Sequence, residues 1–349
     1  RLDRKVEFLP DAQNLAQRER AGESLTRSEI AVLLAYAKLT LYDDLLESRA
    51  PDEPYFYHEL DRYFPDAIRE RFPDAIASHK LRREIIATGL ANAIINRGGP
   101  SAARRVRDRT GCDIAMLAHA YAAARDSFGL YAIHDALDGL DNTLAGQRQL
   151  ALYGQLQVLL LGQMVWFVRN LPADAPLEET IRHYADGIDA VAALFDGDDL
   201  PLADELTGLG MPAAPARRLA LIDRLVAAPA IVRIADQIGK PVAAVAGAYF
   251  GLDGVLSLGI LVEQGRAIAT TDHYEQLALE RAIDGIAAAH DLLAIDVMRA
   301  TGGALEPWAE QRGPEIERSR AAIAEISREG LTVAKLTVAA GLLGDLARG

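Results

Sequence analysis

The chain of 349 residues is 50% hydrophobic and 25% charged, and its acidic excess gives a formal net charge of -13. That balance argues against a nucleic-acid or anionic-membrane surface, since both need dense positive charge, and leaves a soluble protein able to build one large or two ordinary domains. With Cys112 as the single cysteine, no internal disulfide can form, and a reducing, cytoplasmic location is expected.

The opening Arg1-Leu2-Asp3-Arg4-Lys5 is polar, unlike an export signal, and lacks an initiator Met, so sequence upstream is expected. Pro10-Asp11 opens a short helix that stops near Gly22. Thr26-Arg27-Ser28-Glu29 is a capping box, in which a hydroxyl and a carboxylate each satisfy orphan N–H groups. Ile30, Leu33, Leu34, Ala37, Leu41 and Leu45 then recur at helical spacing until Pro51 and Pro54. Pro65 and Pro73 start short helical pieces, and His79 to Arg97 reads as one strong helix closed by Gly98-Gly99-Pro100.

Longer helices are expected over Ile114 to Phe128, Leu130 to Asn170 and Pro176 to Phe195, with a break in the second near Gly139 or Gly146. Asp196 to Pro215 carries Asp, Gly and Pro with little periodicity and reads as a loop or linker. Helical patterns resume over 216–228, 229–239, 241–262, 271–301, 314–328 and 331–347. The stretch Val242 to Val262 is long enough for a bilayer, but Asp253 sits at its centre among four glycines, which favours a buried helix or two short ones. No run alternates with period two. The expected class is all-α, a multi-helix array without significant sheet: a helical segment over 1–110, a bundle over 111–200, a linker over 201–215 and a second bundle over 216–349.

A faint repeat supports two similar bundles. Asp113-Ile-Ala-Met-Leu-Ala-His-Ala-Tyr121 matches Pro241-Val-Ala-Ala-Val-Ala-Gly-Ala-Tyr249, and Gln149-Leu-Ala-Leu152 matches Gln276-Leu-Ala-Leu279 at nearly the same offset.

Motifs for chemistry are sparse. The chain has no G-x-G-x-x-G after a strand, no P-loop, no H-E-x-x-H and no cysteine pair, so no catalytic, cofactor-binding or metal-ligating residue is assigned. Asp43, Asp44 and Glu47 lie along one helix face and could hold Mg2+ against a diphosphate, yet a second acidic motif is not found, and a solvated helix end is the plainer reading. His134-Asp135, His183…Asp186 and His290-Asp291 pair His with acid but offer no third ligand. Trp166 and Trp308 fall at apolar positions suited to the core.

The helix from His79 is the most informative. Leu81, Ile85, Ile86, Leu90, Ala93 and Ile94 cover most of its circumference, while Glu84, Thr88, Asn92 and Asn96 form a narrow polar line at steps of four. Arg82, Arg83 and Arg97 flank the line. It either faces water or packs against another helix or a neighbouring domain; Asn is a mediocre helix former, and two of them amid Ile favour a specific partner. These seven residues are the candidate interdomain contact.

Several strings resemble one family: Leu2-Asp3-Arg4…Phe8-Leu9-Pro10, Leu25-Thr26-Arg27-Ser28-Glu29-Ile30, Tyr63-Phe64-Pro65, His79-Lys80-Leu81-Arg82-Arg83-Glu84 and Asn92…Ile95-Asn96-Arg97-Gly98-Gly99. They resemble the C-terminal region of the large bacterial NAD-specific glutamate dehydrogenases. Gly210-Met211-Pro212 and Val245-Ala246-Gly247-Ala248-Tyr249-Phe250 continue the likeness more loosely. The resemblance implies a much longer polypeptide with ACT-like modules and a Rossmann-type NAD core upstream. It also implies oxidative deamination of L-glutamate to 2-oxoglutarate and ammonia with NAD+, a step of amino-acid catabolism. The family's catalytic Lys and Asp and its dinucleotide loop would lie upstream, so this chain would hold no cofactor and serve as a helical scaffold or regulatory region. Its partners would be its own catalytic domain and further copies of itself. A free-standing helical interaction module is the alternative reading, and a Mg2+-dependent diphosphate enzyme a lesser one.

Overall fold

Helices make up the regular structure of the computed structural model, which describes residues 3–172, 175–270, 272–328 and 330–348; among these residues there is no strand. Leu2 and Thr271, which begin two of the stretches named above, lie outside them. The chain divides into two compact units that interleave in sequence: residues 1–185 with 200–222, and residues 186–199 with 223–349.

The first unit opens with α1 (Ala12–Arg20), capped by Asp11, and α2 (Arg27–Glu47). The expected capping box forms: Thr26 accepts from the Glu29 N–H while Glu29 accepts from the Thr26 N–H. Arg18 forks onto the same Glu29 carboxylate at 2.9 and 3.2 Å. The hydrogen bonds from Arg18 and then from the Thr26 backbone hold the Glu29 carboxyl down at about 2. A depressed carboxyl adds stability that is present above its unfolded pKa, near 4.5, and is lost as pH falls through about 2. Glu29→Gln keeps the capping geometry but not the charge. Its difference from the parent chain in urea unfolding is therefore expected above pH 4.5 and should vanish towards pH 2; a difference that persists at pH 2 would contradict the linkage.

Prolines then chop the chain into α3 (Tyr57–Tyr63), α4 (Asp66–Arg71) and α5 (Pro73–Ala77). The strong helix is α6 (Arg82–Gly98), three residues shorter at its start than expected because 79–81 form turns. It buries Ile86, Leu90, Ile94 and Ile95 and packs on α2 and α3. After α7 (Ala102–Thr110), Asp113 caps α8 (Ile114–Ser127), whose alanines are almost all buried. Close helix packing is what such short side chains permit. Then come α9 (Leu130–Asp138) and α10 (Gly146–Asn170), with the expected break over 139–145. By length and composition α10 is apolar enough to cross a membrane, but half of that window is buried inside the protein. Helix α11 (Leu177–Ala193) follows, and the division between the units falls within it after Ala185.

The expected loop over 201–215 is mostly helical. Pro201 occupies the first turn of α12 (Pro201–Gly208), and α13 (Ala213–Ala220) begins right after Pro212. Two prolines that read as breakers thus act as helix starters. Leu206, Met211, Ala216 and Leu219 are buried, and α13 packs on α9.

The second unit holds α14 (Ile222–Leu225), α15 (Ala228–Ile238), α16 (Val242–Leu256), α17 (Leu258–Arg266), α18 (His273–Thr301), α19 (Leu305–Gln311), α20 (Gly313–Ser327) and α21 (Val333–Arg348). The apolar stretch 242–262 is two short helices, bent by 73° at Ser257, which takes a left-handed φ of 55°. Asp253 secures the bend by accepting from the Gly259 N–H. A Cβ on residue 259 would lie 3.2 Å from both Asp253 oxygens, so glycine makes room for the carboxylate. The principal seam runs between α18 and α21. Leu279, Ala282, Ile286, Ala289 and Leu293 alternate steps of three and four along α18, as Leu336, Ala339, Leu343 and Leu346 do along α21, and all are buried, the spacing of coiled-coil packing. Trp308 is fully buried, and Trp166 of the first unit is half-buried against Phe167 and Tyr184.

Of the two repeat strings, one begins α8 and the other α16, each packs on the long helix of its own unit, α10 or α18, and Tyr121 and Tyr249 are both buried.

Candidate functional site

The polar line of α6 divides in the structure. At its start, Arg83 turns inward within its own unit: its Nη2 donates to the Leu46 and Ser48 carbonyls at 2.8 and 3.2 Å, and its Nη1 to Asp52. These are orphan carbonyls at the end of α2, where a cation also meets the negative end of the helix dipole. Arg82 is half-buried, and its Nε has no hydrogen-bond partner among the described residues. Glu84 is half-buried; Thr88 is exposed, its hydroxyl donating back to the Glu84 carbonyl.

At its other end the line meets a cavity of ≈ 310 Å³ within the first unit. One wall is α6 itself, through Ile85, Gly89, Asn92, Ala93, Asn96 and Arg97. Their spacing places them on one face. Asn96 is exposed and Asn92 half-buried, and neither amide side chain makes a hydrogen bond among the described residues. Arg97 reaches Asp138 of α9 at 3.1 Å, and Tyr153 donates to the same carboxylate.

The opposite wall carries Glu59, Arg62 and Tyr63 of α3 with Tyr131 and His134 of α9. Arg62 donates to Glu59 at 3.1 Å and lies 4.2 Å above the Tyr131 ring, a cation–π arrangement. His134 places Nδ1 2.7 Å from the Leu130 carbonyl and stacks on Tyr153. Burial, helped by the Arg97 charge, lowers its pKa, so the ring is neutral near pH 7.

The floor is a charge cluster that periodicity did not reveal. Arg125 of α8, only 4% exposed, donates to Glu59 at 2.6 Å and grips both Asp126 oxygens at 2.7 and 2.6 Å. Tyr55 adds its hydroxyl to Asp126 at 2.6 Å. Burial and then the Asp126 charge push the Tyr55 hydroxyl well up, so it stays a donor. Burial works against the Arg125 charge, but the hydrogen bonds and charge of Asp126 more than restore it. The clue in the sequence was an arginine among the alanines of α8: a guanidinium on a face that must pack needs a buried acid.

Other candidates dissolve. Asp44 pairs with Arg107 at 3.9 Å and Asp43 has its own interactions, and no group of three or more metal-ligating side chains forms among the described residues. The Mg2+ reading through Asp43, Asp44 and Glu47 therefore lacks a cluster to hold the ion. His290 packs its ring 3.6 Å from that of Tyr249 and meets the Tyr249 carbonyl at 2.8 Å, a structural role in the second unit.

Comparison with known proteins fits this picture. A family model described as glutamate dehydrogenase, C-terminal, matches residues 22–345. The chain belongs to the glutamate dehydrogenase C-terminal family. It is 31% identical to the NAD-specific glutamate dehydrogenase of Pseudomonas aeruginosa over 363 residues, covering 100% of this chain and 22% of that protein. The corresponding protein of Halomonas elongata is 30% identical over 310 residues, covering 86% of this chain and 19% of its own length. That of Mycobacterium tuberculosis is 28% identical over 362 residues, 99% of this chain and 22% of its own. This member of the family thus spans about a fifth of the length of the relatives it matches. Both faces of α6 described above fall within the family match.

Proposed function

We propose that this chain is a helical scaffold of an NAD-dependent glutamate dehydrogenase, docking on the catalytic part of its own polypeptide and contributing to homo-oligomer contacts. In this reading the reaction, L-glutamate and NAD+ to 2-oxoglutarate, ammonia and NADH, is carried out by the longer protein in the cytoplasm. NAD binds outside this chain, which itself performs no step.

The observation that carries the docking is the state of the α6 line. Thr88 and Asn96 are exposed, and the Asn92 and Asn96 amides have no hydrogen-bond partner among the described residues. Asparagine costs helix stability when its amide serves nothing, and two amides one turn apart suit hydrogen bonds to a partner's backbone. Glu84 and the arginines Arg82, Arg83 and Arg97 complete the proposed contact, Arg83 and Arg97 chiefly by fixing the ends of α6 to α2 and α9.

The test uses the full-length polypeptide. Thr88→Arg places a large charge on the line without touching the cavity, and Asn92→Ala/Asn96→Ala removes the amides. Both are expected to loosen assembly in sedimentation velocity and to lower turnover with L-glutamate and NAD+. Wild-type sedimentation and turnover for both variants would overturn the docking role.

A further inference from the structure

The α6 cavity has an unbalanced hydrogen-bonding inventory. Glu59 is the only carboxylate among its described lining residues, and its Oε1 accepts from both Arg62 and Arg125. Donors remain in excess. Arg62 commits one nitrogen to Glu59 and Arg97 one to Asp138, while each guanidinium carries five N–H groups. The Asn92 and Asn96 amides are uncommitted among the described residues. Arg125 is spent on Glu59 and Asp126, so the spare N–H groups belong to Arg62 and Arg97, and His134 adds no charge because burial keeps it neutral. The rest of the lining combines apolar Ile85, Ala93, Leu130 and Leu160 with the rings of Tyr63, Tyr121 and Tyr131. A volume of ≈ 310 Å³ lies at the lower end of small-molecule sites, which pair an apolar body with a few placed polar groups.

We propose that this cavity binds a small organic carboxylate. Its carboxylate sits at the mouth, accepting from Arg62 and Arg97, and its hydrocarbon body lies against Ile85, Ala93 and Leu160. A cation would meet the arginines, and a neutral molecule would forgo the charge-assisted hydrogen bonds that an anion makes with them. A mineral anion would answer them but leave the apolar wall unused. The inference stands on the cavity and holds whether or not the α6 line docks on the catalytic part.

Calorimetric titration of the full-length polypeptide with hexanoate, benzoate and phenylacetate, each beside its amide and beside inorganic phosphate, tests this. At least one acid is expected to bind, with its amide and phosphate weaker by about tenfold or more. Arg62→Gln and Ala93→Leu, the second filling the cavity, should each weaken that binding by about tenfold while leaving sedimentation unchanged. Thr88→Arg should leave the binding untouched, which separates failure of this site from failure of the docking reading. Circular dichroism melting verifies that the variants fold. The proposal is overturned if none of the three acids binds, if an amide or phosphate binds equally well, or if neither folded cavity variant weakens binding.

Discussion

Arg125→Leu is expected to destabilise the first unit by about 3–5 kcal/mol, the usual result of removing one partner from a buried ionic group. The Arg125 and Glu59 side chains are 4% and 5% exposed, and Asp126 is 17% exposed. With the guanidinium gone, Asp126 keeps the Tyr55 hydroxyl and Glu59 keeps only Arg62, which is 44% exposed and correspondingly weak. Arg125→Lys should recover part of the loss, because it restores a charge but cannot grip both Asp126 oxygens. Urea unfolding near neutral pH measures both. A cost for Arg125→Leu below about 1 kcal/mol would mean that the cluster is not the anchor inferred from its burial.

In the second unit, Trp308→Ala is expected to cost about 3–5 kcal/mol, because the largest fully buried side chain is removed and a cavity is left. Trp308 also organises polar groups. Its Nε1 donates to Asp296 at 2.8 Å, and Asp296 accepts from Arg312 at 3.0 Å. Arg312 in turn donates to the Leu346 carbonyl at 2.7 Å, tying α18, α19 and α21 together. Trp308→Phe separates the contributions: it keeps most of the ring packing and loses the hydrogen bond to a carboxylate, so it should cost less, about 1.5–3 kcal/mol from the bond itself. Equal losses for the two variants in urea unfolding would show that the Asp296 bond, rather than volume, carries the effect.

Much of this fold was legible from local signals. The capping box at Thr26 and Glu29 forms as its spacing requires, and the glycines near 139–146 separate α9 from α10. The 3–4 spacing of apolar residues in α18 reappears as its seam with α21. Prolines were harder to read. Pro201 and Pro212 suggested a linker, but a proline satisfies a first helical turn as well as it ends a helix. The interleaving of the two units, with residues 200–222 returning to the first, depends on long-range packing that periodicity does not encode.

At the site the polar line of α6 was visible, but its division was not. Nothing in the spacing distinguishes Arg83, folded back onto the end of α2, from Asn96, left exposed. The Arg125 cluster joins residues 66 positions apart, and only an arginine set among buried alanines hinted at it. Hydrogen-bond satisfaction of buried charge, more than motif, is the signal to follow in helical chains of this composition.

The central claim is that these helices support a dehydrogenase without performing its chemistry. Its most direct test is to supply the 349-residue chain, shown helical by circular dichroism, with L-glutamate and NAD+ and to follow NADH absorbance. The scaffold account predicts no NADH above the enzyme-free rate. Sustained NADH formation that scales with the amount of chain would contradict it.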